Sequence, residues 1–155
     1  SIGQGQLVTP LQQAVLVGSL ATGKGVYRPH FMKELRDFKG NVVKRFEPEI
    51  IRPGNMKAET HRVLMAAMDS VVNHPGGTGK RGAVPGIRVG AKTGSGEWKK
   101  GAKTHAWYAA VAPIDNPEIA VAVIMEAAGG GGAVSGPIAR KVLMAYFGKE
   151  DEVQK

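Results

Sequence analysis

Apolar positions recur at helical spacing in three stretches of this chain and alternate at strand spacing in others. Thr9-Pro10 opens the first helical stretch, with threonine suited to the N-cap and proline to the first turn. Leu11, Val15, Leu16 and Leu20 follow at helical spacing, and Gly23 and Gly25 stop the pattern, which predicts a helix over about 10–22. From Lys57 to His74, Leu64, Met68, Val71 and Val72 line one helical face, with Ala67 between them and Pro75-Gly76-Gly77 as terminator. The last helical face holds Val134, Ile138, Val142, Leu143, Tyr146 and Phe147; Pro137 is expected in its first turn and Gly129–Gly132 as the break before it.

Strand patterns fall between these helices. Arg28 to Arg52 reads as a β-hairpin, with arms at 31–37 and 42–46, a Lys39-Gly40-Asn41 turn, and Pro48 ending or bending the second arm. Three further strands are predicted at about 87–98, 104–113 and 117–127. Lys99–Lys103 and Pro113–Pro117 join them, and connections this short imply antiparallel neighbours. Residues 75–86, with five glycines and two prolines, predict a long loop of the kind found beside functional sites. The order implies an α+β fold: an antiparallel sheet of three C-terminal strands packed by helices, plus a β-hairpin.

Composition agrees with one globular domain: 155 residues, 43% hydrophobic and 22% charged. Twenty-one basic residues against 13 acidic leave +8, which points toward an anionic partner. The basic residues are scattered, and the densest cluster, Lys99, Lys100 and Lys103, fits a solvated loop. Aromatic residues are not interleaved with them as in a nucleic-acid groove, so no nucleic-acid partner is expected. The absence of cysteine excludes disulfides and thiolate chemistry. No apolar run nears the roughly 20 residues a bilayer span needs. The start, Ser1-Ile2-Gly3-Gln4-Gly5, has neither an initiator methionine nor the features of a signal peptide, so the chain is expected to be a piece of a longer protein. The charged tail from Lys149 is expected to fray.

The stretch richest in candidate chemistry is Lys92-Thr93-Gly94-Ser95, on the first of the three C-terminal strands. Alternation puts Lys92 and Gly94 on one face and Thr93 and Ser95 on the other. A hydroxyl pair can hold a carboxylate, the lysine raises the local positive potential, and Gly94 lets a ligand approach the backbone closely. An outward N–H at Ser95 would serve as half of an oxyanion hole. Trp98 sits beside this stretch as a candidate cleft residue, whereas Trp107 and Tyr108 face opposite sides of their strand, and core packing is favoured for one of them. Two glycine-rich stretches, Gly18–Lys24 and Gly76–Arg81, fail as phosphate loops: Gly25 and Arg81 stand where Ser or Thr belongs. Histidines 30, 61, 74 and 105 lack metal-pair spacing, and the acidic residues form no evident acid–base pair, so neither a metal nor a cofactor is expected.

Lys92-Thr93-Gly94-Ser95 resembles the third motif of the penicillin-binding transpeptidases and serine β-lactamases. The flanks extend the resemblance. Gly3-Gln4-Gly5 with Val8-Thr9-Pro10-Leu11-Gln12 resembles the family's segment entering the helix after its second motif. Pro29-His30-Phe31 fits the hairpin, and His105-Ala106-Trp107-Tyr108-Ala109-Ala110-Val111-Ala112-Pro113 resembles the strand after the third motif. The chain is most similar to the class B, elongation-specific type 2 members.

The resemblance implies a peptidoglycan D,D-transpeptidase that crosslinks stem peptides and is acylated by β-lactam antibiotics. It implies that Lys92 serves the proton shuttle and site electrostatics, and that Thr93 and Ser95 bind the carboxylate of substrate or antibiotic. The Ser95 N–H would form half of the oxyanion hole, and Gly94 would keep the cleft open. It also implies other cell-wall elongation proteins as partners, and a place at the periplasmic face of the bacterial inner membrane, with an upstream transmembrane anchor. The family's other two motifs are absent: of serines 1, 19, 70, 95 and 135, none has lysine three residues on, or asparagine or aspartate two residues on. The chain is therefore expected to be the C-terminal half of a transpeptidase domain, inactive alone, with the nucleophilic serine upstream. Such a piece is expected to expose an apolar face and an open edge at the 117–127 strand, and to self-associate. The alternatives are a self-contained basic module binding an anionic polymer and a β-lactamase, though the latter also needs the absent motifs.

Overall fold

The computed structural model describes residues 5–149. The expected fraying of the charged tail from residue 150, and the resemblance at Gly3-Gln4, lie outside the described residues.

Helix α1 runs Pro10–Thr22. Thr9 caps it: its hydroxyl accepts the Gln12 N–H at 3.2 Å, while the Gln12 side chain accepts the Thr9 N–H at 2.8 Å. This reciprocal box satisfies two N–H groups that the first helical turn leaves open. At the other end Gly23 takes the left-handed conformation (φ 65°) and its N–H returns to the Ser19 carbonyl.

Two short strand pairs follow. Strands β1 (Gly25–Tyr27) and β4 (Ile50–Pro53) pair antiparallel and enclose the hairpin β2 (Glu34–Arg36) with β3 (Val42–Arg45). The hairpin is the one expected, but its arms are shorter than the 31–37 and 42–46 reading, and Phe31 and Met32 lie outside it. Asp37 fixes the turn, accepting the N–H groups of Lys39 and Asn41. The β1–β4 pair was not expected. Gly25 matters there because a Cβ would come within 2.3 Å of the Arg52 carbonyl oxygen.

Helix α2 (Ala58–Asn73) leads through residues 75–86, which contain one short 3-10 turn at Lys80–Gly82, to the sheet of β5 (Gly90–Gly96), β6 (His105–Ala112) and β7 (Ile119–Met125). The order is β5-β6-β7, antiparallel throughout, with Gly90 opposite Val111 through Gly96 opposite His105 and Ala106 opposite Met125 through Ala112 opposite Ile119. Helix α3 (Gly131–Tyr146) closes the fold. The expected α+β architecture is present.

The sheet is a middle layer. On one face Tyr108, Ala110 and Ala112 of β6 pack with Ala139, Leu143 and Met144 of α3. On the other, Ala109 and Val111 pack with Val17 and Ala21 of α1 and Met68 of α2. Both faces of β6 are covered, so its residues read as a nearly continuous small and apolar run.

The start of α3 corrects the sequence reading. Gly131 and Gly132 belong to the helix, and Pro137 lies in its interior. These glycines permit contact: a Cβ on Gly131 would lie 2.1 Å from the Trp107 carbonyl oxygen and 2.4 Å from that of Gly94. The helix start therefore sits directly on the β5–β6 backbone. Ser135, fully buried, donates to the Ala106 carbonyl at 2.7 Å and fixes the same contact.

Candidate functional site

Strand β5 carries Lys92-Thr93-Gly94-Ser95 at one edge of the sheet. Its N-terminal end is anchored from two sides. Arg88 forms a paired contact with Asp69 of α2, both bonds at 2.9 Å, and reaches Asp115 at 3.4 Å. The Asn73 side chain also donates to the Val89 carbonyl at 3.0 Å. The Arg88 guanidinium holds the Asp69 carboxyl below the usual carboxylate range.

The register separates the four site residues. Thr93 opposes Tyr108 and Ser95 opposes Ala106, so both hydroxyls lie on the α3 face. Lys92 opposes Ala109 and Gly94 opposes Trp107, on the α1 face. The Lys92 ammonium is exposed and donates to the Thr93 carbonyl. Gly94 lies close to its cross-strand neighbour, since a Cβ would come within 3.3 Å of Trp107 Cβ.

Trp98 lies beyond the end of β5, in the turn toward β6. Its ring stacks on His105 at 5.6 Å and 9°, and its N–H donates to the Lys103 carbonyl at 3.1 Å. The tryptophan remains 56% exposed, so its outer face is open to a ligand. Tyr108 is the core aromatic: it is fully buried and its hydroxyl donates to the Gly79 carbonyl at 2.7 Å. Burial raises its pKa.

Tyr108 draws a further segment into the site. The loop 75–86 passes between the end of α2 and the start of α3, with the Gly79 N–H bonded to the Val71 carbonyl and Arg81 donating to the Ala133 carbonyl. Thr78 then stands beside the strand, its hydroxyl oxygen 2.9 Å from that of Thr93. The sequence offered two signals for this residue: its place in the 75–86 loop expected beside a functional site, and in a glycine-rich stretch that fails as a phosphate loop.

Among the described residues, no group of three His, Cys, Asp or Glu side chains is placed to hold a metal ion.

Residues 1–144 match the penicillin-binding protein transpeptidase domain. The chain belongs to this family. Among penicillin-binding transpeptidases, it is 35% identical to the peptidoglycan D,D-transpeptidase MrdA of Haemophilus influenzae, over 94% of this chain and 25% of that protein. It is 32% identical to the peptidoglycan D,D-transpeptidase PbpA of Mycolicibacterium smegmatis, over 94% of this chain and 30% of that protein. The fold matches penicillin-binding protein A of M. tuberculosis in its imipenem acyl-enzyme complex, with TM-score 0.78 and 29% identity, over 92% of this chain and 32% of that one. It also matches Pseudomonas aeruginosa PBP2 in complex with WCK 5153, with TM-score 0.74 and 28% identity, over 99% of this chain and 34% of that one. This transpeptidase chain thus spans a quarter to a third of the proteins it resembles.

Proposed function

We propose that this chain is the substrate-binding half of a peptidoglycan D,D-transpeptidase domain, whose nucleophilic serine lies outside these 155 residues. The observation that carries this reading is the placement of the Lys-Thr-Gly-Ser strand: it lies at a sheet edge, with Thr93 and Ser95 on one face.

The chemistry follows from the strand. The substrate is a stem peptide ending in D-Ala-D-Ala. Its terminal carboxylate accepts hydrogen bonds from the Thr93 and Ser95 hydroxyls. The scissile carbonyl then lies along β5, where the Ser95 N–H meets the developing oxyanion. Strand alternation turns the backbone groups of Thr93 and Ser95 to the same side of β5, and the Lys92 ammonium donates to the Thr93 carbonyl. The serine attacks the carbonyl, the peptide bond breaks, and the leaving D-Ala takes a proton. An amine of a second stem then attacks the ester, restores an amide and releases the serine. Lys92 supplies positive potential and takes part in moving those protons. β-Lactams acylate the same serine, a reading supported by the mycobacterial neighbour, whose structure is an imipenem acyl-enzyme complex. The open face of Trp98 borders the far end of the cleft. The substrate places the enzyme at the periplasmic face of the inner membrane, held by an anchor elsewhere in the protein and working with other elongation proteins. Among the described residues no helix is long and apolar enough to cross a membrane.

The test is Lys92→Ala in the full-length protein. Acylation by a penicillin should fall by at least about a hundredfold with the fold intact, as expected when a group acting on the transition state is lost. Acylation at the wild-type rate would refute the role of the strand.

A further inference from the structure

We propose that Thr78 is a positioning residue for the carboxylate site: its hydroxyl donates to Thr93 Oγ1 and so turns the Thr93 proton toward the ligand. This deepens the reading above and rests on it.

Two hydroxyl oxygens 2.9 Å apart share one hydrogen bond, and either can be the donor in the free protein. A bound carboxylate removes that choice. It is ionised and accepts only, so Thr93 must spend its single O–H on the ligand. Thr93 Oγ1 is then left as an acceptor toward Thr78, and Thr78 becomes the donor. A hydroxyl that accepts one bond while donating another is polarised, which strengthens the bond it gives. Among the described residues, neither hydroxyl makes another side-chain hydrogen bond.

The backbone around Thr78 is built to hold it there. A Cβ on Gly77 would lie 2.4 Å from the Val71 carbonyl oxygen. One on Gly79 would lie 2.8 Å from Val71 Cγ1, and one on Gly132 would lie 1.9 Å from the Thr78 carbonyl oxygen. Three glycines thus let the 77–79 backbone wedge between α2 and α3, and the Tyr108 hydroxyl pins Gly79 from beneath. The side chain of Thr78 points out of that wedge at Thr93. The glycine-rich stretch that fails as a phosphate loop thereby delivers one hydroxyl to the strand.

The test uses the full-length enzyme with Thr78→Val, Thr78→Ser and Thr93→Val, each checked for unchanged melting temperature. The readout is the second-order acylation rate with benzylpenicillin and with its methyl ester, which lacks the carboxylate. T78V should slow benzylpenicillin about tenfold, the scale of one lost hydrogen bond, and the ester less than about twofold. T78S should restore the rate to within about twofold. The proposal is overturned if T78V slows both ligands alike, if it slows neither, or if T78S is as slow as T78V. T93V separates the two levels. If T93V leaves the preference for the carboxylate intact, the carboxylate assignment falls and takes Thr78 with it. If T93V abolishes the preference while T78V does not, only the Thr78 proposal fails.

Discussion

Replacing Gly131 with alanine sets two physical effects against each other, and the structure decides the sign. Alanine in a helix is favoured over glycine by up to about 1 kcal/mol, so propensity alone makes Gly131→Ala stabilising. The new Cβ, however, would lie 2.1 Å from the Trp107 carbonyl oxygen and 2.4 Å from the Gly94 carbonyl oxygen. The helix start must draw back from β5 and β6 by roughly 1 Å, because those oxygens belong to a paired backbone and cannot rotate aside. Overpacking of this kind costs about 3 kcal/mol, near the upper end of the usual range. The net expectation is a loss of about 2 kcal/mol, which lowers the urea midpoint by about 1 M at a typical slope. Gly130→Ala, at the N-cap of α3, is the control, since nothing lies within 4 Å of its Cβ position, and it should cost no more than about 1 kcal/mol, the scale of an N-cap preference. Urea unfolding followed by tryptophan fluorescence reads both variants. A Gly131→Ala protein as stable as wild type, or more stable, would refute the seating of α3 on the Lys-Thr-Gly-Ser strand.

Other perturbations test the scaffold. Tyr108→Phe removes the buried 2.7 Å bond to Gly79 and should cost about 1–2 kcal/mol, read as a melting temperature lower by about 4 °C. Asp69 is held below its ordinary pKa by Arg88, so its pairing stabilises the fold fully above the unfolded carboxylate pKa, near 4, and that contribution fades as pH falls through the lower folded value. Asp69→Asn should therefore flatten the acid limb of a stability-versus-pH curve below about pH 4 while lowering stability at pH 7. Leu11, Leu16, Phe31, Leu35, Phe38 and Ile51 are exposed, and a groove of about 300 Å³ between α1 and the β1–β4 pair is lined by Leu11, Leu16 and Ile51 among others. The isolated chain should self-associate through this surface, which sedimentation would show as mass rising with concentration; a monomer throughout would contradict it.

Sequence and structure agree most closely where local chemistry and periodicity point the same way. Thr9-Pro10 and Gly23 bracket α1 because caps act within one turn. The runs on β5, β6 and β7 are long enough to reveal strands joined by short turns. The β1–β4 pair was hidden, since strands of three and four residues with an irregular register show no alternation. The start of α3 was misread for a different reason: its glycines serve a contact with β5 and β6, and propensity reports only their local cost. At the site, Lys92, Thr93, Gly94 and Ser95 were legible as one strand. Thr78 was not, because its meaning depends on a partner 15 residues away across the fold.

As proposed, this chain binds the carboxylate end of a substrate attacked by a serine carried elsewhere in the protein. The most direct test is to acylate the full-length enzyme with a penicillin, digest it and locate the modified residue by mass spectrometry. The expected result is a penicilloyl serine outside these 155 residues, and no label on the chain alone. A penicilloyl group on Ser1, Ser19, Ser70, Ser95 or Ser135 would contradict it.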